Sequence, residues 1–172
     1  GVANMADAMW AIKTLVYDQK KYTIEFYKEA LDNNYGEDMD VHHAEKLTKQ
    51  IVTELAKNGA PVTDDIVLKT FNLVKTNKCT DSQKRSYQAL KADIEALPKF
   101  GNDVEEIDNF AREITYFYTK KLDQYSNPRG GIFQAGLYPV SANVLLGAQT
   151  GTTPDARLAF TPVADGVSPA AG

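Results

Sequence analysis

Two adjacent histidines, His42 and His43, are the first residues of this 172-residue chain that could bind a metal or move a proton, and Glu45 lies close by. The surrounding pattern predicts the start of a helix, on which adjacent side chains point about 100° apart. The two imidazoles therefore cannot hold one metal ion between them. We expect a solvated helix start instead of a metal site.

The chain's single cysteine, Cys79, follows Lys78 in a polar turn between two predicted helices. No histidine partner stands near it in sequence, so we expect an exposed thiol without a catalytic role. A single cysteine also excludes an internal disulfide and any multi-cysteine metal site. This usage favours a reducing, cytoplasmic setting.

Two glycine-containing stretches, 128–131 and 150–154, resemble phosphate-binding loops at first sight. Neither has the spacing of a P-loop with its Lys-Ser/Thr pair, and neither gives GxGxxG after a strand. Asp155 and Arg157 stand two apart in a predicted turn, where they are expected to hold the turn together. No catalytic residue and no metal site is therefore predicted.

Composition narrows the class of protein further. The net charge of −4 argues against a nucleic-acid partner, and no apolar run approaches the length of a membrane span. Charge is also uneven along the chain: residues 128–172 carry four charged side chains, seven of the eleven glycines and five of the seven prolines. We therefore divide the chain into a helical region, 1–127, and a Gly/Pro-rich segment, 128–172.

Apolar residues at spacings of three and four predict six helices within 1–127. The expected N-caps of four of them are Thr23, Thr63, Thr80 and Asn102. The expected inward faces include Val2, Met5, Met9, Ile12 and Val16 on the first helix, Ile66, Val67, Phe71 and Val74 on the fourth, Tyr87, Leu90 and Ile94 on the fifth, and Val104, Ile107, Ala111, Ile114, Phe117, Tyr118 and Leu122 on the sixth. An ion pair between Asp108 and Arg112 is expected on the sixth.

The Gly/Pro-rich segment predicts a different structure. Residues 133–144 are apolar with Gly136 and Pro139 inside, which favours one or two short buried strands with a break. Turn signals follow repeatedly from Gly147 onward. Because such a segment needs partners for its backbone and cover for its apolar side chains, we expect other polypeptide to enclose it. The fold class predicted is mainly α with a short β or loop segment at the C-terminal end.

Long compound stretches of this tail resemble the glycyl radical enzymes. They are Asn-Pro-Arg-Gly-Gly-Ile-Phe-Gln-Ala-Gly-Leu-Tyr-Pro-Val-Ser-Ala-Asn-Val at 127–144, Thr-Gly-Thr-Thr-Pro-Asp-Ala-Arg at 150–157 and Pro-Val-Ala-Asp-Gly-Val-Ser-Pro at 162–169. The similarity extends to 97–103 and to the opening helix, whereas 37–94 resembles a family-variable insertion. The tail is most similar to the branch of diol dehydratases and related lyases, and the chain is identified as an internal fragment.

The resemblance implies a ten-stranded α/β barrel in the parent protein, inside which a glycyl radical loop and a cysteine loop meet. It also implies a radical installed by an activating enzyme that uses S-adenosylmethionine and an iron–sulfur cluster, and it allows a homodimer. A small polar substrate would lose water or another group, with a glutamate as general base. By position, Tyr138 and Val140 match residues of the substrate pocket, where tyrosine offers a hydroxyl and valine packs; the alternative for Tyr138 is a core tyrosine.

Departures from the family pattern limit what this chain can do alone. Neither the Arg-Val-x-Gly-Tyr radical motif nor the Gly-Cys catalytic motif is present, so the chain is expected to be inactive by itself. Ala156 stands where the family usually has glycine, which predicts strain if that position needs a positive φ. Two alternatives stay open: a fragment of an arylacetate decarboxylase, and a helical binding or scaffolding module without catalysis.

Overall fold

The computed structural model describes residues 1–139 and 141–170, and within these ranges the structure is helical. The α-helices are α1 (Val2–Ile12), α2 (Ile24–Asp32), α3 (Val41–Lys57), α4 (Asp64–Lys75), α5 (Asp81–Glu95), α6 (Glu105–Leu122) and α7 (Asn143–Gly147). A π-helical stretch, Lys13–Asp18, continues α1, and a 3-10 turn, Asn34–Gly36, follows α2. None of the helices in these ranges is long and apolar enough to cross a membrane.

The core lies where α2 and α5 meet the end of the first helix. The predicted inward face of α5 is confirmed, because Tyr87, Leu90 and Ile94 are buried. They pack with Leu15 and Tyr27, among other residues. Since burial of each large apolar side chain contributes about 1.5–3 kcal/mol, this cluster stabilises the helical region.

Three predicted threonine caps are confirmed. The Thr23 hydroxyl accepts the N–H of Phe26, and the Thr63 hydroxyl accepts that of Ile66. Thr80 forms a capping box with Gln83, in which each side chain accepts from the other residue's backbone N–H. Each cap satisfies a donor that the first turn of a helix otherwise leaves unpaired.

The predicted inward face of the opening helix is wrong in part. Met5 and Met9 are exposed, and the buried side of α1 consists of small residues, Trp10 and one carboxylate: Ala3, Ala6, Asp7, Trp10 and Ala11. Trp10 packs on Phe110 of α6 with ring centroids 5.5 Å apart, and Ala11 belongs to the core cluster. Both sides of α1 are apolar, and packing against α6 decides which one is buried.

Helices α3 and α4 form a hairpin whose apolar faces are only partly covered. No residue of α4 is buried, and Val67, which was predicted to point inward, is exposed. The prediction of a solvated pair of histidines is also wrong for His43. Its ring stacks on Phe160 at 4.5 Å, and its Nε2 lies 3.1 Å from the Ala148 carbonyl oxygen, so it fastens the hairpin to the tail.

Helix α6 begins later than predicted, with Val104 instead of Asn102 at its N-cap. The expected ion pair does not form, because Asp108 accepts the Gly101 N–H and Arg112 donates to the Asn109 side chain. Only the first half of the predicted apolar stripe is buried. Phe117 and Tyr118, in the second half of the helix, are exposed.

The tail lacks the predicted strands: among the described residues there is one isolated antiparallel bridge, between Ser126 and Ile132. A strand needs a neighbour along its whole length for its N–H and C=O groups. The Phe133 N–H donates to the Tyr125 carbonyl at 3.3 Å, but no strand ladder continues from there within 133–139. These residues are also exposed where burial was expected, as for Phe133 and Leu137. The turns after α7 behave differently and pack on α1, α2 and the 3-10 turn.

Candidate functional site: a polar cleft under the tail

An open cleft of about 900 Å³ lies between the first turns of α1, the 95–104 connection and the tail. Its polar side chains come from all three parts: Asn4 and Asp7 from α1, Lys99 from the connection, and Asp155 and Arg157 from the tail. These residues are far apart in sequence. The fold alone therefore creates this concentration of charge.

Asp7 and Lys99 are the two buried charged residues of the cleft, with 2% and 9% of their surface exposed. Asp7 Oδ1 accepts the Phe100 N–H at 2.8 Å, and Lys99 Nζ donates to the Ile94 carbonyl at 2.8 Å. Burial raises the pKa of the Asp7 carboxyl, although the Phe100 N–H and the Lys99 ammonium oppose this. Burial lowers the pKa of Lys99, against the attraction of Asp7 and Asp155. Each charge thus limits the desolvation cost of the other.

Asn4 joins α1 to two separate turns of the tail. Its Nδ2 donates to Asp155 Oδ2 at 2.6 Å, and its Oδ1 accepts the Ala164 N–H at 2.7 Å. Asp155 also accepts from the Thr153 hydroxyl at 2.5 Å. Because a hydrogen bond to a charged group is worth about 1.5–3 kcal/mol, the bond between Asn4 and Asp155 is a strong link.

The guanidinium of Arg157 holds the same turn from within. It donates to the carbonyls of Thr161, Leu158, Thr150 and Gly151. Burial lowers the pKa of Arg157, and Asp155 opposes this shift. The prediction that Asp155 and Arg157 hold this turn together agrees with these contacts.

Two buried tyrosines complete the attachment of the turn. Tyr27 donates to the Pro154 carbonyl at 2.7 Å, and Tyr35 donates to the Thr153 carbonyl at 3.0 Å. Burial raises the pKa of both hydroxyls, so they remain donors at neutral pH. Both satisfy carbonyls that would otherwise lie unpaired against the core.

Ala156 lies at the centre of this turn in the left-handed backbone region, with φ +74°. The condition under which strain was predicted is therefore met. A left-handed conformation costs a residue with a Cβ roughly 1–2 kcal/mol. The methyl is nevertheless packed in the core cluster, with 7% of the residue exposed.

Of the two predicted pocket residues, Tyr138 is described and Val140 lies outside the described residues. The Tyr138 side chain is 67% exposed and its ring lies over Gly136, where an added Cβ would be 2.7 Å from Cε1. Its backbone contacts Gly166, one residue beyond the edge of the cleft. Tyr138 is therefore not a core tyrosine within this chain.

The other candidates for chemistry have structural roles in the described parts of the chain. Cys79 is half-buried, not exposed as predicted, and its Sγ donates to Asn33 Oδ1 at 3.1 Å. No group of three His, Cys, Asp or Glu side chains within 1–139 and 141–170 is placed to hold a metal ion. Most polar groups of the cleft instead bind backbone or one another, so the arrangement fastens the tail to the helices.

Sequence reasoning missed Asn4, Asp7 and Lys99. One signal was available, because Asp7 lies among the alanines and Trp10 of an apolar helix face. A carboxylate in such a face is buried only with a partner. Nothing in the sequence indicated that Lys99 and the tail would supply the surrounding groups.

The pyruvate formate lyase-like family matches residues 1–147. The match covers most of the chain, so the chain belongs to this family of glycyl radical enzymes, and the resemblance read from the tail is confirmed.

Curated relatives include more than one reaction type. The probable dehydratase YbiW of Escherichia coli (strain K12) is 31% identical over 178 residues, which cover 100% of this chain and 16% of that protein. The indoleacetate decarboxylase of Tractidigestivibacter scatoligenes is 29% identical over 168 residues, covering 97% of this chain and 16% of that protein. This chain therefore corresponds to about a sixth of each relative's length.

A solved structure is more similar. It concerns 1,2-propanediol dehydration in Roseburia inulinivorans and is 47% identical, with a TM-score of 0.75. The alignment covers 98% of this chain and 20% of that chain. The helical arrangement and its tail are thus similar to one part of a much larger glycyl radical enzyme.

Proposed function

We propose that this chain is a wall-forming segment of a glycyl radical dehydratase that eliminates water from a small diol or similar polar substrate. The observation that carries this proposal is the 47% identity, over nearly the whole chain, to the structure concerned with propanediol dehydration. Identity to the decarboxylase is lower, at 29%.

Within that enzyme, the segment around Tyr138 would line the substrate pocket. The Tyr138 residue is 67% exposed, and its ring lies over Gly136. A tyrosine hydroxyl both donates and accepts, which suits a substrate hydroxyl. Val140 would supply the apolar part of the same wall, and this assignment rests on the family pattern alone.

Two exposed apolar surfaces support burial by other parts of the parent chain. One is the end of α6, where Phe117 is 67% exposed; the other is the tail, where Leu145 is 69% exposed. Exposed apolar surface of this kind usually marks an interface. We propose that the remaining parent chain covers both, and that the tail becomes part of the ten-stranded barrel there.

The radical chemistry would lie elsewhere in the parent. Cys79, the only cysteine, bonds to Asn33 beside the core, which does not fit a thiol that must reach a substrate. We propose that an activating enzyme using S-adenosylmethionine installs the glycyl radical outside this segment, and that the parent is cytoplasmic. The chain alone is expected to be inactive.

The test is to activate the full-length parent anaerobically and to assay it with propane-1,2-diol, glycerol, choline and an arylacetate. We expect dehydration of a diol, and a Tyr138→Phe variant with a KM about two- to tenfold higher, the cost of one lost hydrogen bond. Tyr125→Phe is the matched control, because Tyr125 is also exposed. Decarboxylation of the arylacetate without diol dehydration would contradict the proposal.

A separate experiment addresses the scaffolding alternative. Exposed apolar surface predicts that the isolated chain binds a hydrophobic dye and self-associates. A monomer that binds no dye and folds cooperatively, with its tail protected, would favour the binding module instead.

A further inference from the structure

We infer that Asn4, on the first turn of α1, is the positioning residue for the segment that carries Tyr138. The inference deepens the proposed function and rests on it, because the position of Tyr138 matters for the reaction only if Tyr138 lines the pocket. The link runs from Asn4 through residues 161–166 to Tyr138. It joins positions more than a hundred residues apart.

The first step is the pair of hydrogen bonds made by the Asn4 amide. The amide nitrogen donates to the Asp155 carboxylate at 2.6 Å, and the amide oxygen accepts the Ala164 N–H at 2.7 Å. Asn4 adjoins Ala3 on a helix whose packed side is fully buried, so its backbone is well fixed. The Asn4 amide therefore sets the distance between the turn that contains Asp155 and the turn that contains Ala164.

The second step is the close contact between the 164 turn and the Tyr138 segment. An added Cβ on Gly166 would lie 2.6 Å from the Tyr138 carbonyl oxygen and 2.8 Å from Pro139 Cα. Gly166 also has φ +136°, which residues with a Cβ rarely adopt. Backbones this close move together, so a displacement of Ala164 is transmitted to Tyr138.

Helix α7, which follows the Tyr138 segment in sequence, also contacts residues 161–166. Val163 N–H donates to the Asn143 carbonyl at 3.3 Å, and the Cβ position of Gly147 would lie 2.3 Å from the Thr161 carbonyl oxygen. Residues 161–166 thus contact Tyr138 and Pro139 as well as helix α7. From α1, the Asn4 side chain hydrogen-bonds directly to residues 161–166, at the Ala164 N–H.

The chemistry of the site requires an amide at position 4. A carboxylate there could accept from Ala164 but could not donate to Asp155, and two carboxylates at this distance repel. Exchanging the two groups, in Asn4→Asp with Asp155→Asn, restores one donor and one acceptor. Lys99 lines the same cleft, so a single carboxylate stays compensated in the exchanged pair.

The experiment follows Tyr138 directly by ¹⁹F NMR of the full-length parent labelled with 3-fluorotyrosine, with the resonance assigned by Tyr138→Phe. We expect Asn4→Asp to move the Tyr138 resonance towards its position in the urea-unfolded chain, while buried Tyr87 keeps its shift. The double variant should return the Tyr138 resonance. Asn72→Asp, on the exposed surface of α4, is the matched control and should change neither.

Three results would overturn the inference: a Tyr138 resonance unmoved by Asn4→Asp, equal movement of Tyr87 and Tyr138, or no recovery in the double variant. If Asn4→Asp unfolds the chain, Asn4→Ala removes both bonds without the repulsion and must still move Tyr138 alone.

The consequence for the reaction is measured in the full-length parent. Asn4→Asp should raise KM for the diol about two- to tenfold and lower kcat less, with recovery in the double variant. If Tyr138→Phe leaves KM unchanged, the proposed function fails, while the link between Asn4 and Tyr138 seen by NMR still holds. If NMR shows no such link, the inference fails, while the proposed function still holds.

Discussion

Replacing Gly147 with alanine tests how the tail is held to the rest of the chain. Gly147 ends α7, and its ideal Cβ would lie 2.3 Å from the Thr161 carbonyl oxygen and 2.5 Å from Pro162 Cα. Both obstacles are backbone atoms, which cannot rotate away. A normal carbon contact needs about 3.5–4.0 Å, so α7 and residues 161–163 must separate by roughly an ångström.

The magnitude follows from two opposing effects. Overpacking of this kind typically costs about 1–3 kcal/mol. Alanine in place of glycine in a helix returns at most about 1 kcal/mol, and less at a helix end. We therefore expect the docked tail to lose about 1–2 kcal/mol, which raises the open population roughly five- to thirtyfold.

Hydrogen exchange measures this opening at the Val163 and Ala164 amides, which are bonded to α7 and to Asn4. Local opening governs exchange at such sites, so both should exchange about five- to thirtyfold faster in Gly147→Ala. Gly151→Ala is the matched control, because nothing lies within 4 Å of its Cβ position. Unchanged exchange in Gly147→Ala would refute the close packing of α7 on residues 161–163.

Three further predictions concern the turn, the hairpin and the cleft. Ala156→Gly removes left-handed strain of roughly 1–2 kcal/mol, but it also removes a buried methyl worth about 0.8 kcal/mol. The free energy of unfolding measured in urea should therefore rise by up to about 1 kcal/mol, and a fall would contradict this. His43→Ala should speed amide exchange across the α3–α4 hairpin, because its ring stacks on Phe160, whereas exposed His42→Ala should not; equal effects would count against the stack. Burial raises the pKa of Asp7, so the folded state binds the Asp7 proton more tightly than the unfolded state does, and the free energy of unfolding falls as the pH rises above the ordinary value of 3.8. Asp7→Asn should remove that part of the pH dependence. A variant whose stability depends on pH as the wild type's does would contradict this.

Local features were predictable from sequence. The caps at Thr23, Thr63 and Thr80 depend on residues within three positions of each other, and all three form. The buried face of α5 was also correct, because its opposite face is strongly polar and one orientation only is favourable.

Features decided by distant contacts were not predictable. The opening helix is apolar on two sides, and only the position of α6 shows that Ala3 is buried while Met5 is not. His43 was expected to be solvated because its partner, Phe160, lies far along the chain. The cleft was missed for the same reason, since Asp7 and Lys99 meet only in the fold.

The tail shows how the sequence and the isolated fold can differ. Residues 133–139 have the apolar pattern of a buried strand, yet they are exposed and irregular among the described residues. Strand structure requires a neighbouring strand, and a pattern that encodes burial cannot supply the cover itself. We attribute the difference to the missing neighbours proposed above.

We propose above that this segment forms part of the barrel wall and of the substrate-pocket lining, while the glycyl radical is carried elsewhere in the parent. Electron paramagnetic resonance tests it most directly, on this chain and on the full-length parent, each incubated anaerobically with the activating enzyme and S-adenosylmethionine. We expect an organic radical signal from the parent and none from residues 1–172 alone. A radical on the isolated chain would contradict it.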